Sequence, residues 1–377
     1  MSIDFIPVNT PLLGGNEKKY INECIDTGWI SSEGPFIERF ESELSAKVNR
    51  KHGIAVSSGT AALDIAVVAL GIGKSDEVIL PSHTIISCIS AVIKAGATPV
   101  LVDSELTTWN MDVNLIESKI TNKTKAIMAV HLYGFPVDMD KILALAKKYN
   151  LFVIEDTAQM LGQTYKGKPC GSFGDISTFS FYPNKQITTG EGGMCVVNDE
   201  KLAERCRSFR NLCFQKEQRF IHNEIGWNYR MTNMQAALGV AQLEELDNHV
   251  KRRREIAKKY IQLINFNDLI KASPEANDYS DNIYWVVGLL ISDSSNYSAK
   301  DMMDYLSEHG VGVRPFFYPL HMQPVFNNQG MFINEKYENS EKLHLKGFYI
   351  PNGLGMTDSQ IKKVSKKVNV MIDKYFT

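Results

Sequence analysis

The sequence predicts an α/β fold: a mostly parallel sheet flanked by helices, with a smaller C-terminal α+β domain. Three observations carry this. Short apolar runs of strand length alternate with helical stretches between Gly53 and Val197. After Met231 the character changes to two long helical patterns and then a polar, turn-rich break. With 377 residues, 44% hydrophobic and 22% charged, the chain can bury a large core and fill about two domains, which we place at 1–250 and 251–377.

Taken in order, an N-terminal arm leads to helical periodicity over Glu17–Thr27 and Pro35–Val48. Strands are expected at Gly53–Val56, Glu77–Leu80, Thr98–Val102, Ala126–Val130, Leu151–Glu155, Ile176–Phe181 and Met194–Val197. Helices at Ala61–Leu70, Val113–Ile120 and Lys141–Tyr149 fall between them, as crossovers of parallel strands require. Beyond Met231, helices are expected at Thr232–Leu246 and Val250–Ile264, and the polar break follows at Ser273–Asp278. A strand at Ile283–Ile291, a helix at Lys300–His309, a strand at Val311–Arg314 and a helix after Thr357 complete the chain. The run Lys251-Arg252-Arg253-Arg254 has Glu244, Glu245, Asp247 and Glu255 around it, so it reads as the solvated face of a helix.

Composition narrows the function classes. With 41 basic against 43 acidic residues the net charge is −2, unlike the basic excess of proteins that bind nucleic acid or membrane surfaces. Cys24, Cys88, Cys170, Cys195, Cys206 and Cys213 are widely spread, without Cys-x-x-Cys or metal-ligand spacing. No metal site is expected, and a reduced cytosol fits. The N-terminus has no basic leader, and no window approaches the roughly 18 apolar residues of a spanning helix, so a cytoplasmic location is expected.

The chemistry concentrates at two strand ends. Lys185 follows the apolar run Ile176–Phe181 and precedes the glycine-rich Thr188-Thr189-Gly190-Glu191-Gly192-Gly193, where backbone can approach a ligand closely. Asp156 ends the buried run Leu151–Ile154, at the edge where α/β folds bind ligands, and a buried aspartate needs a cationic partner. Pyridoxal phosphate accounts for both: the lysine forms a Schiff base, and the aspartate keeps the pyridine nitrogen protonated. Ser57-Ser58-Gly59-Thr60 follows the first strand. By itself it reads as a capped helix; beside Lys185 and Asp156, Ser58, Gly59 and Thr60 become the phosphate cradle.

Glu155-Asp156-Thr157-Ala158-Gln159, Gly174-Asp175, Ser177–Phe181, Asn184-Lys185 and Thr188–Gly193 together resemble the signature of the DegT/DnrJ/EryC1/StrS aminotransferases. The likeness runs from Gly14-Asn16-Glu17 through Trp29–Ser32 to Arg314-Pro315 and His321. It implies a fold-type I aminotransferase working as a homodimer with shared active sites. It also implies Ser180 as a further phosphate contact, Gln159 beside the ring hydroxyl, and Asn228 reaching the phosphate of the partner. Arg219, His222, Arg314 and His321 suit the diphosphate and hydroxyls of a nucleotide sugar, and Arg314 has a competing role on the carboxylate of the donor. Where relatives carry an aromatic ring against the cofactor this chain has Ile85, leaving two readings: Ile85 packs there itself, or His83 takes part of the role.

The implied reaction moves the amino group of L-glutamate to C4 of a nucleotide-linked 4-keto-6-deoxy sugar, GDP-4-keto-6-deoxymannose first and dTDP-4-keto-6-deoxyglucose as the alternative. Related enzymes with histidine at this position dehydrate the sugar, so Lys185 favours amination. A dehydrogenase is disfavoured, because Gly190-Glu191-Gly192-Gly193 does not match Gly-x-Gly-x-x-Gly and precedes a strand. A non-catalytic cofactor-binding regulator would need an effector or DNA module, and no spare segment provides one.

Overall fold

The computed structural model of the chain describes residues 5–215 and 217–376. Helices α1 (Glu17–Thr27) and α2 (Pro35–Lys47) come first, α2 beginning at a proline whose missing N–H is not needed there. The first sheet grows from β1 (His52–Val56), α3 (Gly59–Ala69), β2 (Glu77–Pro81), α4 (Ile86–Lys94), β3 (Thr98–Val102), β4 (Thr124–Val130), α5 (Met139–Tyr149) and β5 (Phe152–Asp156). A small ribbon, β6 (Thr164–Tyr165) with β7 (Lys168–Pro169), leads to β8 (Ile176–Ser180), β9 (Gly193–Val197) and α6 (Glu200–Arg210).

The strand order is β1-β9-β8-β5-β4-β2-β3; β9 runs antiparallel to both neighbours and the remaining pairs are parallel. Both faces are covered, so the central strands are buried along nearly their whole length, with polar residues gathered at Glu155-Asp156 of β5 and along β8. Alternation along β4 sends Met128 and Val130 into the core beneath α3 and α4, while Ile127 and Ala129 pack on the side of α5. The parallel strands therefore end together at one edge, with Asp156 and Ser180 on it.

Helices α7 (Asn233–Glu244) and α8 (Leu246–Leu263) lead to β10 (Ile270–Ala272), β11 (Val287–Ile291), α9 (Ala299–Glu308), β12 (Arg314–Pro315), α10 (Pro324–Asn327), α11 (Glu338–Lys346), β13 (Gly347–Ile350) and α12 (Asp358–Tyr375). These strands form an antiparallel sheet, β10-β11-β13-β12. Its core joins Val287, Leu289 and Phe348 to Ile256 and Tyr260 of α8, Met302 and Leu306 of α9, and Val364 and Met371 of α12. The N-terminal arm crosses to this region, where the Ile6 N–H donates to Gly310 O at 2.9 Å and the Asn352 N–H to Val8 O at 3.1 Å. Among the described residues, no helix is long and apolar enough to cross a membrane.

Four expectations need correction. Val113–Ile120 is two 3₁₀ turns, Val113–Leu115 and Glu117–Lys119. There the Asp112 carboxylate accepts from the Asn114 N–H and the Ser118 hydroxyl donates to Leu115 O, local bonds that compete with an α-helix. The strand expected from Ile283 starts at Val287, because Tyr284 takes a left-handed φ of 52° and its N–H is held by Asn282. The strand expected at Val311–Arg314 pairs only at Arg314–Pro315, since Val311 bridges Ile6 of the arm instead. The basic run on α8 is not wholly solvated: Arg253 is among the largest fully buried side chains.

Candidate active site

Lys185 sits in a turn just beyond β8, closed by its own N–H donating to Tyr182 O at 2.9 Å. Pro183 suits such a turn because its ring presets φ. The ε-amino group lies 4.3 Å from the centre of the Trp285 ring. Burial lowers its pKa to about 8; Asp156 opposes that shift, Arg253 reinforces it, and Cys88 opposes it weakly.

Asp156 and Glu155 are adjacent on β5 and point to opposite faces. Asp156 is buried at the strand end, where Oδ1 accepts from the Ala158 N–H at 2.9 Å and Oδ2 from the Cys88 thiol at 3.3 Å. Glu155 accepts from the amides of Gly171 (2.6 Å), Phe173 (3.0 Å) and Gly174 (3.1 Å) and the Ser177 hydroxyl (2.8 Å), and lies 3.1 Å from His131 Nε2. Burial pushes its pKa up, but His131 and these amides outweigh burial and bring it to about 2. One carboxylate thus anchors a loop, and its neighbour faces a cavity.

That cavity, about 390 Å³, is walled by Ser58, Gly59, Thr60, Ile85, Asp156, Gln159, Ser180 and Lys185. Ser58 caps α3, its hydroxyl accepting from the Ala61 N–H at 3.1 Å, and Thr60 shares a 2.9 Å hydrogen bond with Ser87. The first turn of α3 presents its free amides here, a natural anion site. Backbones crowd around it: a Cβ on Gly59 would meet Ser180 Cβ at 2.7 Å, and one on Gly193 would meet Ser58 O at 2.4 Å. Gln159 Oε1 accepts from the Tyr133 N–H at 2.7 Å, and the side chain is buried rather than on a helix surface.

The two readings of the ring-stacking position separate here. Ile85 is 40% exposed and lines the cavity. His83 does not; it is fully buried among Tyr133, Phe316 and Phe317, and burial lowers its pKa to about 3.

The cofactor expectation meets a fitting site. The wall offers a cradle too tight for any Cβ, a buried carboxylate, an amine with lowered pKa, and Thr178 Oγ1 and Asn184 Oδ1, two buried atoms without a protein partner. Among the described residues no cluster of metal-ligating side chains occurs. Other wall residues escaped the sequence: Trp285, Phe317 and Tyr349 come from the C-terminal part and His131 from the end of β4. Nothing local to them signals a site.

The remaining candidates lie outside this cavity within one chain. Arg219 stacks over Phe214, 5.2 Å from its ring centre, and lines a separate cleft with Arg210 and Arg230. His222 Nδ1 is 2.8 Å from Leu212 O, and Asn228 is exposed and bridges Asn211 through the backbone. Arg314 is exposed on β12, paired with Tyr349 of the cavity wall. His321 is buried, with Nε2 3.0 Å from Glu341.

Comparison with known proteins gives the family. The model of the DegT/DnrJ/EryC1/StrS aminotransferase family matches residues 11–369. The GDP-perosamine synthase of Escherichia coli O157:H7 is 44% identical, the match covering 97% of this chain and 98% of that one. The GDP-perosamine synthase of Caulobacter vibrioides is 41% identical, covering 95% and 96%. A Streptococcus pneumoniae structure solved in a PLP form superposes with a TM-score of 0.90 at 25% identity, over 99% of this chain and all of that one.

Proposed function

The chain belongs to the DegT/DnrJ/EryC1/StrS family and is a pyridoxal-phosphate-dependent aminotransferase, and from that premise we propose that it moves the amino group of L-glutamate to C4 of GDP-4-keto-6-deoxymannose, giving GDP-perosamine for a surface polysaccharide such as O-antigen. The observation that carries the reading is one cavity that gathers a half-buried lysine, a buried aspartate and a helix N-terminus from three strand ends. The choice of sugar rests on the relatives named above.

Bound in this cavity, the cofactor supplies an aldehyde that carries the amino group and a ring that accepts electrons. Lys185 would anchor it and, once released, would serve as the proton carrier; a pKa lowered by burial to about 8 leaves more of its amine neutral near pH 7 than an ordinary lysine has. Asp156 keeps the ring nitrogen protonated and is itself oriented by the Ala158 amide and the Cys88 thiol. Ser58, Gly59, Thr60 and Ser180 would hold the phosphate, Gln159 would serve the ring hydroxyl and Ile85 the ring, a reading supported by their all lining this cavity.

Arg314 serves the substrate, a role supported by its exposure and its pairing with Tyr349 of the cavity wall. His321, whose Nε2 is paired with Glu341 and whose Nδ1 has no partner among the described residues, serves the sugar nucleotide. Asn228 acts on the cavity of a partner in a homodimer, a role supported by its exposure away from the cavity of its own chain, and Arg219 and His222, shortly before it in sequence, serve the nucleotide sugar. The same proposal keeps the domain division at 250/251, supported by a separate apolar core around β11 and β13, and a cytoplasmic site of action, supported by six free cysteines.

Assaying GDP- and dTDP-linked 4-keto-6-deoxy sugars side by side with glutamate tests the proposal. Turnover of the GDP sugar is expected. Preference for the dTDP sugar assigns viosamine formation instead, and no turnover of either would favour a binding protein without activity.

A further inference from the structure

Arg253 is buried and has no carboxylate partner among the described residues, an unusual state for a guanidinium. Its hydrogen bonds go to four main-chain carbonyls: Asn352 at 2.7 Å, Trp285 at 2.8 Å, Asn184 at 2.9 Å and Lys185 at 3.1 Å. Two belong to the lysine turn and two to the C-terminal region. Asn184 O also accepts from Trp285 Nε1 at 3.0 Å and Asn9 Nδ2 at 3.4 Å, so α8, the C-terminal part and the N-terminal arm meet on one carbonyl.

We propose that Arg253 is a positioning residue for Lys185, fixing the Asn184–Lys185 backbone and setting its positive charge against the protonated form of the lysine. Carbonyl dipoles solvate the guanidinium but do not neutralise it, so its field persists in a region of low dielectric. The groups facing Lys185 are Asp156 from β5 and Cys88 from α4, which favour the ammonium, and Arg253 from α8, which opposes it. Trp285 offers its ring face, and Tyr349 of β13, His131 and Glu191 share the wall. Without Arg253, burial alone would oppose Asp156, and more of the lysine would stay protonated, a poor state for an anchor or a base. This rests on Lys185 being the anchor.

The test is reductive methylation of Lys185 in the full chain freed of cofactor, followed against pH by mass spectrometry, with the spectral pH titration of the loaded enzyme alongside. The wild-type midpoint is expected at about 8. In R253M it should move alkaline by about one unit, about a tenfold loss of neutral amine near pH 7, and the spectral midpoint should move the same way. R253K keeps the charge and should stay near wild type. If circular dichroism shows R253M unfolded, R253Q replaces it with the same expectation. A wild-type midpoint at the ordinary value of about 10.4 overturns the proposal without any variant. So does a folded R253M or R253Q that titrates like wild type, or an R253K that shifts as far as R253M. Borohydride reduction and peptide mapping keep the premise separate: cofactor on another lysine would remove the anchor assignment, while the Arg253 effect on Lys185 is still read in the unloaded chain.

Discussion

In the role proposed for Lys185 two demands conflict, since the amine would have to sit beside an acid to meet the cofactor and yet be able to shed its proton. Burial and Arg253 favour the neutral form, Asp156 the charged one, and the balance falls at about 8. Lys185→Ala is therefore expected to abolish turnover and borohydride-stable incorporation of cofactor; wild-type rates in the variant would exclude the assignment. Asp156→Asn should keep the fold and lower kcat by more than tenfold, over about 1.4 kcal/mol of transition-state energy. A smaller loss would mean that the carboxylate meets something other than a pyridinium. Both residues were legible from sequence because each stands where an apolar run stops. Arg253 was not, because one basic residue among four differs from its neighbours only by the carbonyls opposite it, contributed by residues 32 to 99 positions away.

At the scale of elements, short apolar runs placed the strands of the first sheet to within one or two residues, since both faces of that sheet are covered. It failed at Val113–Ile120 and Ile283–Val286, where side chains bond to nearby backbone or a left-handed residue interrupts the run, effects that periodicity does not carry. The loop between β7 and β8 depends on one charge instead. Glu155 has a folded pKa of about 2, below its unfolded value, so its contribution is fully present above about pH 4.5 and is lost as pH falls through 2. Glu155→Gln should cost on the order of 2–4 kcal/mol in urea unfolding at pH 6, because an amide cannot accept from all four donors. The gap between variant and wild type should close between pH 4.5 and 2; a gap independent of pH would show that the carboxylate charge contributes nothing.

For the whole molecule, the aromatic wall at Trp285, Phe317 and Tyr349 was invisible in the sequence because the fold alone brings the C-terminal part over the lysine. The reverse holds for Asn228, which the family resemblance marks but which lies exposed and away from the cavity of its own chain. Near it Phe220 is 81% and Ile225 89% exposed, apolar surface that a self-associating protein would cover. If Asn228 serves the partner, a homodimer of Lys185→Ala with Asn228→Ala chains holds one site with both lesions and one with neither. Each variant alone should be nearly inactive. Random exchange makes half of the dimers mixed, and half of their sites are intact, so about a quarter of wild-type activity should return. Native mass spectrometry can verify that exchange occurred. Verified mixed dimers without recovery, or an active monomer in sedimentation, would place Asn228 outside any partner site and leave the cavity to be completed from within one chain.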